Sequence, residues 1–299
     1  MMHNLVKTGS CSIVLGKGHF NNYFPENQDK LLKITKLNNR HNEYRLTNKI
    51  REIKNYNKYY SIPDDHDIII IDVSSPFFDH LVRLTMYDKI DIFNSQLHAT
   101  YIDYAGNHDL LDTIVEMDLN FENSFWTSYK KIYNFIKFII EGIMFLHQKK
   151  ICHLDIKPEN IMVNKKTTTY KIIDFGFSSK EPFTDYINDL KGTPGYFPKQ
   201  YDFDKPSAWL PQIKANDLIP NSFGVIPIKA DRRLVYKIDS YCLGRSLYFF
   251  KYMYDNNKIY YCFSLEKTLG IKIDNIIKTL LNYDIYNRLT ITDCYKKYF

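Results

Sequence analysis

The chain has 299 residues, long enough for one large domain or for two lobes that share a cleft. Its 44% hydrophobic and 25% charged residues argue against intrinsic disorder, and a formal charge of +6 is too small and dispersed to indicate nucleic-acid binding by itself. Five scattered cysteines without C-x-x-C spacing argue against a disulfide framework or a structural zinc site, and favour a reduced, intracellular protein.

The first ten residues lack the apolar segment of a secretory signal. The most apolar helical stretch, 135–146, is interrupted by Lys137 and Glu141, which argues against a membrane span. We therefore expect a cytoplasmic protein without a membrane partner.

Short apolar pieces separated by polar residues predict strands in the first hundred residues. They lie at Leu5–Val6, Ile13–Leu15, Leu31–Ile34, Ile68–Val73, Leu81–Leu84 and Leu97–Tyr104. Between them, apolar residues at three- and four-residue spacing predict one helix from about Asn42 to Tyr59, ended by Pro63.

After Tyr104 the apolar spacing becomes helical. Helices are predicted over Trp126–His147, Ser240–Tyr254, Leu265–Leu269 and Asn275–Leu281. A strand-rich first part and a helical second part predict an α+β protein of two lobes, residues 1–104 and 105–299.

The residues suited to chemistry cluster after the long helix. The run H-L-D-I-K-P-E-N occupies 153–160, and D-F-G follows at 174–176. Together they supply a carboxylate, an ammonium group and an amide within six residues, then a second carboxylate. Such a set is able to hold metal-bound phosphate and to orient a hydroxyl group.

These two runs resemble the catalytic loop and the metal-binding turn of eukaryotic-type protein kinases. The residue usage of an AT-rich genome, a reduced glycine-rich loop and a compact form without accessory domains look similar to kinases of large DNA viruses. The resemblance implies a two-lobed, protein-kinase-like fold that uses ATP and Mg²⁺. It implies that Asp155 accepts the substrate proton, that Lys157 neutralises the transferring phosphate, and that Asn160 and Asp174 bind Mg²⁺. His153 is expected to brace the loop.

Further positions follow from the same resemblance. Lys33 is the candidate for the lysine that grips the α- and β-phosphates, with Lys30 and Lys36 as competitors. Its glutamate partner is expected to be Glu43, with Glu52 as the alternative.

The glycine-rich loop over the phosphates departs from the family pattern. One glycine of the pattern, Gly9, is kept, and Ser12 and Val14 complete the predicted clamp. The segment between the lobes resembles the adenine-binding hinge, in which Asp103 and Ala105 would offer backbone groups to adenine and Asp109 would reach the ribose.

Downstream, the resemblance assigns supporting roles. Thr193, in a segment typical of serine/threonine kinases, would brace Asp155 and Lys157, and Asp239 would support the catalytic-loop backbone. Gln200 replaces the glutamate that normally pairs with the late arginine, here Arg288. An insert over about 202–235 is either a docking element or a passive surface loop.

Leu154 stands where many family members carry an arginine that holds a phosphate on the activation segment. We therefore expect activity without phosphorylation of that segment, whose candidate acceptors are Ser178, Ser179, Thr184 and Tyr186. The alternative is that Lys180 or Lys191 takes over the anchoring role.

The expected function is a serine/threonine protein kinase that phosphorylates protein hydroxyl groups, with a host-cytoplasmic or virion location if the protein is viral. The alternatives are a binding module that keeps the kinase fold without turnover, and a kinase acting on a small molecule. The eroded glycine loop favours the first alternative, whereas Lys157 and the segment around Thr193 argue against the second.

Overall fold

A computed structural model describes residues 6–8, 12–20, 22–23, 30–36, 46–64, 69–71, 74–85, 97–182, 192–198, 233–257, 264–282 and 285–299. Six residues singled out above lie outside the described residues, as does most of the expected insert: Gly9, Glu43, Thr184, Tyr186, Lys191 and Gln200.

The N-terminal part is built on an antiparallel sheet of five strands. These are β1 (Val6–Thr8), β2 (Ser12–Leu15), β3 (Lys30–Lys36), β4 (Ile69–Ile71) and β5 (Leu97–Asp103), in the order β1-β2-β3-β5-β4. The helices α1 (Lys17–Phe20), α2 (Tyr56–Tyr59) and α3 (Pro76–Thr85) accompany it.

Alternation along β3 sets the direction of Lys33. Leu32 and Ile34 are buried in a small hydrophobic cluster with Phe20 and Phe78. Because successive side chains of a strand point to opposite faces, Lys33 leaves the sheet on the other face, away from that cluster.

The C-terminal part contains five helices among its described residues. They are α4 (Leu110–Leu119), α5 (Tyr129–Gln148), α6 (Arg233–Asn257), α7 (Ser264–Leu280) and α8 (Ile291–Tyr298). One short strand, β6 (His108–Asp109), precedes α4. Four more lie between α5 and α6 in the chain: β7 (Ile151–Cys152), β8 (Ile161–Asn164), β9 (Thr169–Ile172) and β10 (Ser179–Lys180). The apolar face of α5 and much of α6 are buried in the larger hydrophobic cluster.

The strand predicted at Leu81–Leu84 is wrong, because these residues belong to α3. Pro76 occupies the first helical position, where its missing N–H costs nothing, and the buried Phe77, Phe78 and Leu81 recur at helical spacing.

The single helix predicted to reach Tyr59 is interrupted. Residues 46–51 are helical, and Asn55 then adopts a left-handed backbone (φ 58°) before α2 begins. Further along, the two helices predicted at 265–269 and 275–281 form one continuous helix, α7.

The chain passes from β5 into the helical part through residues 104–107. The boundary predicted after Tyr104 falls within this passage and stays a prediction. Among the helices that the structure describes, none combines the length and apolar character that a bilayer crossing requires.

Candidate active site

The loop between β7 and β8 carries the predicted catalytic residues, and one buried carboxylate holds its backbone. The amides of His153 and Leu154 donate to the two carboxylate oxygens of Asp239, on α6, at 2.8 and 2.7 Å. One of those oxygens also lies 2.9 Å from Nε2 of His147, near the end of α5. Asp239 is 0% exposed, so it fixes the start of the loop from inside the core, as predicted.

Leu154 adopts a left-handed backbone conformation, with φ 65°. This conformation costs a non-glycine residue roughly 1–2 kcal/mol. The amide bond to Asp239 and the burial of the leucine side chain, which is 1% exposed, offset that cost. The loop therefore turns sharply just before Asp155.

Both carboxylate oxygens of Asp155 are held by hydrogen-bond donors. Oδ2 accepts from Nδ2 of Asn160 at 2.9 Å, and Oδ1 accepts from the backbone amide of Thr193 at 3.0 Å and from its hydroxyl. Nζ of Lys157 lies 3.3 Å from Oδ2 and donates to Oγ1 of Thr193 at 2.8 Å. Thr193 thus braces both residues, as the resemblance implied.

The β8–β9 hairpin brings Asp174, the second carboxylate of the predicted site, close to the catalytic loop. Ile161 pairs with Ile172, so Asn160 and the residues after β9 lie at the same end of the hairpin. The amide of Ile173 donates to the carbonyl of Asn160 at 3.0 Å, and the carbonyl of Ile173 lies 3.1 Å from Nε2 of His153. The residue before the D-F-G run is thereby tied to the catalytic loop by one backbone bond and one contact with the His153 side chain.

His153 braces the loop, in agreement with the sequence. Its Nδ1 accepts from the backbone amide of Asp155 at 3.3 Å, so the ring proton sits on Nε2 and is directed to Ile173. The ring also packs on Phe175, with centroids 4.9 Å apart.

Asp174 faces Lys33 across the interface between the sheet and the helical part. Nζ of Lys33 lies 3.5 Å from Oδ1 of Asp174, and Lys33 is 5% exposed. Burial alone would raise the pKa of Asp174, but the positive charge of Lys33 and the amide of Gly176 hold it below its ordinary value. The carboxylate is therefore ionised at neutral pH.

The donor set suits Mg²⁺ and nucleotide phosphates. Asn160 uses its Nδ2 to hold Asp155, which leaves its amide oxygen as the ligand atom. Together with the carboxylate of Asp174 it offers the oxygen ligands that Mg²⁺ prefers. Lys33 adds a buried cation for phosphate beside them.

The predicted nucleotide-cleft residues are partly described. Val14 on β2 is the direct cross-strand partner of Lys33, so their side chains share one face of the sheet. Ser12 begins the same strand. Gly9 lies outside the described residues.

In the predicted hinge, Asp103 ends β5, and its carbonyl accepts from Oγ of Ser61 at 2.7 Å. Ala105 lies in the connection and is buried. The side chain of Asp109 caps α4 by accepting from the amide of Asp112 at 2.7 Å. One oxygen of Asp109 is thus already used by the helix start.

The alternative partner for Lys33 is placed differently. Glu52 pairs with Lys49 at 2.5 Å and with Lys149 at 3.2 Å, and both lysines lower its pKa.

Arg288 is 1% exposed and donates to the carbonyl oxygens of Asn282 and Lys237. Its expected partner, Gln200, lies outside the described residues.

Two further contacts to the loop were not predicted from the sequence. Oγ of Ser246 lies 3.3 Å from the carbonyl of Ile156, and Oγ of Ser178 donates to the carbonyl of His153 at 3.1 Å. A single serine carries no sequence signal for such a role, because its partner is set by the tertiary fold.

Comparison with known proteins agrees with this geometry. A family model described as the protein kinase domain matches residues 30–200. Myosin light chain kinase family member 4 of Homo sapiens is 33% identical over 129 residues, which is 42% of this chain and 31% of that protein. Myosin light chain kinase 3 of Danio rerio is 32% identical over 130 residues, covering 42% of this chain and 17% of that protein.

These matches span less than a third of the length of those curated relatives. The solved structure of the Cydia pomonella granulovirus kinase PK-1 has the same fold, with a TM-score of 0.57 at 15% identity. That similarity covers 98% of this chain and 91% of the viral kinase. The chain belongs to the protein kinase family and has its two-lobed α+β fold.

Proposed function

We propose that this protein is a serine/threonine protein kinase that transfers the γ-phosphate of Mg·ATP to a protein hydroxyl group. The observation that carries the proposal is the environment of Asp155, whose two oxygens are fixed by Asn160 and Thr193 beside the ammonium of Lys157. A carboxylate held this way is positioned to receive a proton from an incoming hydroxyl without rearranging.

Each neighbouring residue has a separate role in this proposal. Lys157 offsets negative charge on the transferring phosphoryl group, and Thr193 keeps Lys157 and Asp155 in register. Asn160 and Asp174 would hold Mg²⁺, and Lys33 would bind the α- and β-phosphates. When bound, Mg²⁺ neutralises the charge of the phosphate oxygens.

The nucleotide would occupy the cleft between an N-terminal lobe of residues 1–104 and a C-terminal lobe of residues 105–299. We assign its phosphate clamp to Gly9, Ser12 and Val14, and its hinge contacts to Asp103 and Ala105, with Asp109 toward the ribose. Glu43 would hold Lys33. The pairing of Val14 with Lys33 supports this placement.

The acceptor would be a serine or threonine of a protein substrate. Lys157 and its bond to Thr193 support this class, because that pair lies beside the proton acceptor. We place the activity inside the cell, in the host cytoplasm or the virion if the protein is viral. The buried free thiols of Cys152, Cys242 and Cys294 support a reducing environment.

The test separates nucleotide binding from transfer. Asp155→Asn should bind Mg·ATP within about threefold of wild type and lose roughly 10²–10⁴-fold in transfer, since it removes the proton acceptor and spares the metal ligands. Asp174→Asn should weaken Mg²⁺-dependent binding as well, because it removes a ligand.

Calorimetric titration and radiolabelled transfer on the same preparations measure both quantities. Asp118→Asn, an exposed carboxylate on α4, is the matched control and should behave as wild type. A wild-type protein that binds Mg·ATP yet phosphorylates no protein, itself included, would instead be a binding module with the kinase fold.

A further inference from the structure

The segment after Gly176 is fastened to the catalytic loop by backbone and side-chain bonds. Strand β10 pairs with β7, with Ser179 opposite Cys152 and Lys180 opposite Ile151. The next amide, that of Glu181, donates to the carbonyl of Lys150 at 3.0 Å and extends this pairing by one residue. Residues 179–181, the start of the activation segment, are therefore paired along the strand that leads into the catalytic loop.

The side chain of Glu181 adds an anionic contact to this anchor. One carboxylate oxygen accepts from the hydroxyl of Tyr236 at 2.6 Å, and the other lies 3.4 Å from Nζ of Lys150. The side chain of Glu181 is 13% exposed, so its carboxylate is largely shielded from solvent, whereas the side chain of Lys150 is 66% exposed and the ion pair lies at the surface. Hydrogen bonds with an ionised partner are about twice as strong as neutral ones.

Tyr236 connects this contact to the support of the catalytic loop. It lies in the first turn of α6, and its ring packs on that of His147, with centroids 4.8 Å apart. His147 in turn contacts Asp239, which holds the amides of His153 and Leu154. Glu181 is thus linked to the catalytic-loop backbone through Tyr236, His147 and Asp239.

The position that holds a phosphate in many relatives is apolar here. Leu154 is buried in the larger hydrophobic cluster and offers neither charge nor donor at its side chain. Of the acceptors considered above, Ser178 is 1% exposed with its hydroxyl bonded to His153, so it is inaccessible to a modifying enzyme. Thr184 and Tyr186 lie outside the described residues.

We propose that Glu181 is a positioning residue: a built-in anion that orders the start of the activation segment against Tyr236 and Lys150. This assignment rests on the proposed kinase function and names its mode of regulation. The enzyme is active without a phosphate on the segment, because the anion that anchors it is already part of the chain.

Kinetics of phosphatase-treated protein test the assignment. Glu181→Gln keeps the size of the side chain but removes its charge, and should lower kcat about tenfold while KM for ATP stays within twofold. Glu181→Asp should recover part of the loss. Tyr236→Phe should act similarly, and the double variant should be no worse than the stronger single one, because both remove the same contact.

The control is Glu116→Gln, which removes a glutamate–lysine pair with Lys165 on a different surface and should leave kcat unchanged. Equal kcat for wild type and Glu181→Gln would overturn the assignment. So would wild-type activity that is lost on phosphatase treatment, regained by re-phosphorylation of the segment and blocked by Thr184→Ala.

Hydrogen exchange tests the anchor without relying on turnover. In Glu181→Gln, peptides covering 179–181 and 153–154 should exchange about tenfold faster, while peptides from α7 should be unchanged. Unchanged exchange at 179–181 would overturn the proposal. A wild-type protein that transfers no phosphate would refute the kinase function alone, since the exchange result still decides whether Glu181 orders the segment.

Discussion

Replacing Asp239 with asparagine should destabilise the protein and misplace its catalytic loop. The carboxylate accepts two short backbone bonds, from His153 and Leu154, and contacts His147, all without solvent access. Asparagine has nearly the same volume, but it turns one acceptor oxygen into an NH₂ group. At least one buried amide then loses its partner.

The magnitude follows from these contacts. A hydrogen bond to a charged group contributes about 1.5–3 kcal/mol, and an unsatisfied buried donor costs about 1–3 kcal/mol. We expect the free energy of unfolding to fall by about 2–4 kcal/mol in urea titrations, a large share of a typical 5–15 kcal/mol total. Transfer activity should fall with it, since Asp155 follows directly in the loop.

The matched control is Asp118→Asn, whose carboxylate accepts a single bond from Asn257 at the surface. A surface change of this kind should stay within about 0.5 kcal/mol of wild type. If Asp239→Asn unfolds at the wild-type urea concentration, the loop backbone is held by something other than this carboxylate, and the reasoning fails.

Three further predictions follow from the same geometry. Gly192→Ala should reduce kcat at least tenfold, because the added Cβ would lie 2.5 Å from the backbone oxygen of Leu154. Relief of this clash would shift residue 192 and, with it, the adjacent Thr193. Thr193→Ala should reduce kcat by about tenfold, because the hydroxyl bonds to Asp155 and Lys157 are lost while the backbone bond to Asp155 remains, and Thr193→Ser should restore most of it. Asp174 should make the free energy of unfolding pH-dependent in acid, a dependence that Asp174→Asn should reduce.

The sign of the last effect follows from the lowered pKa of Asp174. Its contribution is fully present above the unfolded-chain value of 3.8, and it is lost as the pH falls through the lower folded value. Urea titrations between about pH 2 and pH 5 measure it. An identical acid dependence in wild type and Asp174→Asn would contradict the assigned pairing with Lys33.

Controls exist for the two kinetic predictions. Gly142→Ala places its Cβ 3.1 Å from the flexible end of Ile172, so it should be tolerated where Gly192→Ala is not. If Gly192→Ala retains wild-type kcat, the segment is not constrained by Leu154. If Thr193→Ser is as slow as Thr193→Ala, the hydroxyl is not the group that matters.

The catalytic loop and the metal-binding turn could be predicted because their residues lie at short, fixed offsets. Asp155, Lys157 and Asn160 fall within six residues, so the sequence itself places them close together. The helix α5 could also be predicted from the sequence, because its isoleucines, which are buried, repeat with helical spacing.

Contacts over long separations were predicted only where the family resemblance implied them, as for Asp239 and the backbone of the catalytic loop. Glu181 and Tyr236 are 55 positions apart, and only the packing of α6 beneath the loop brings them together. The same limit applies to Ser246 and Ile156, which are 90 positions apart.

The secondary-structure predictions that were wrong concern stretches whose local sequence fits more than one element. Residues 81–84 form an apolar run too short to distinguish a strand from a helix. In the structure they belong to the helix α3, whose buried residues Phe77, Phe78 and Leu81 recur at helical spacing. The break before α2 depends on the left-handed backbone of Asn55, which a helical apolar pattern does not reveal.

In the proposed function, Asp155 serves phosphoryl transfer to protein hydroxyl groups. The most direct measurement incubates the phosphatase-treated protein with Mg²⁺ and γ-labelled ATP, with a basic and an acidic protein as substrates, and then identifies the labelled amino acids. We predict label on serine or threonine with wild type and none above background with Asp155→Asn. Label on neither substrate nor the protein itself, or equal labelling by Asp155→Asn, would contradict the account.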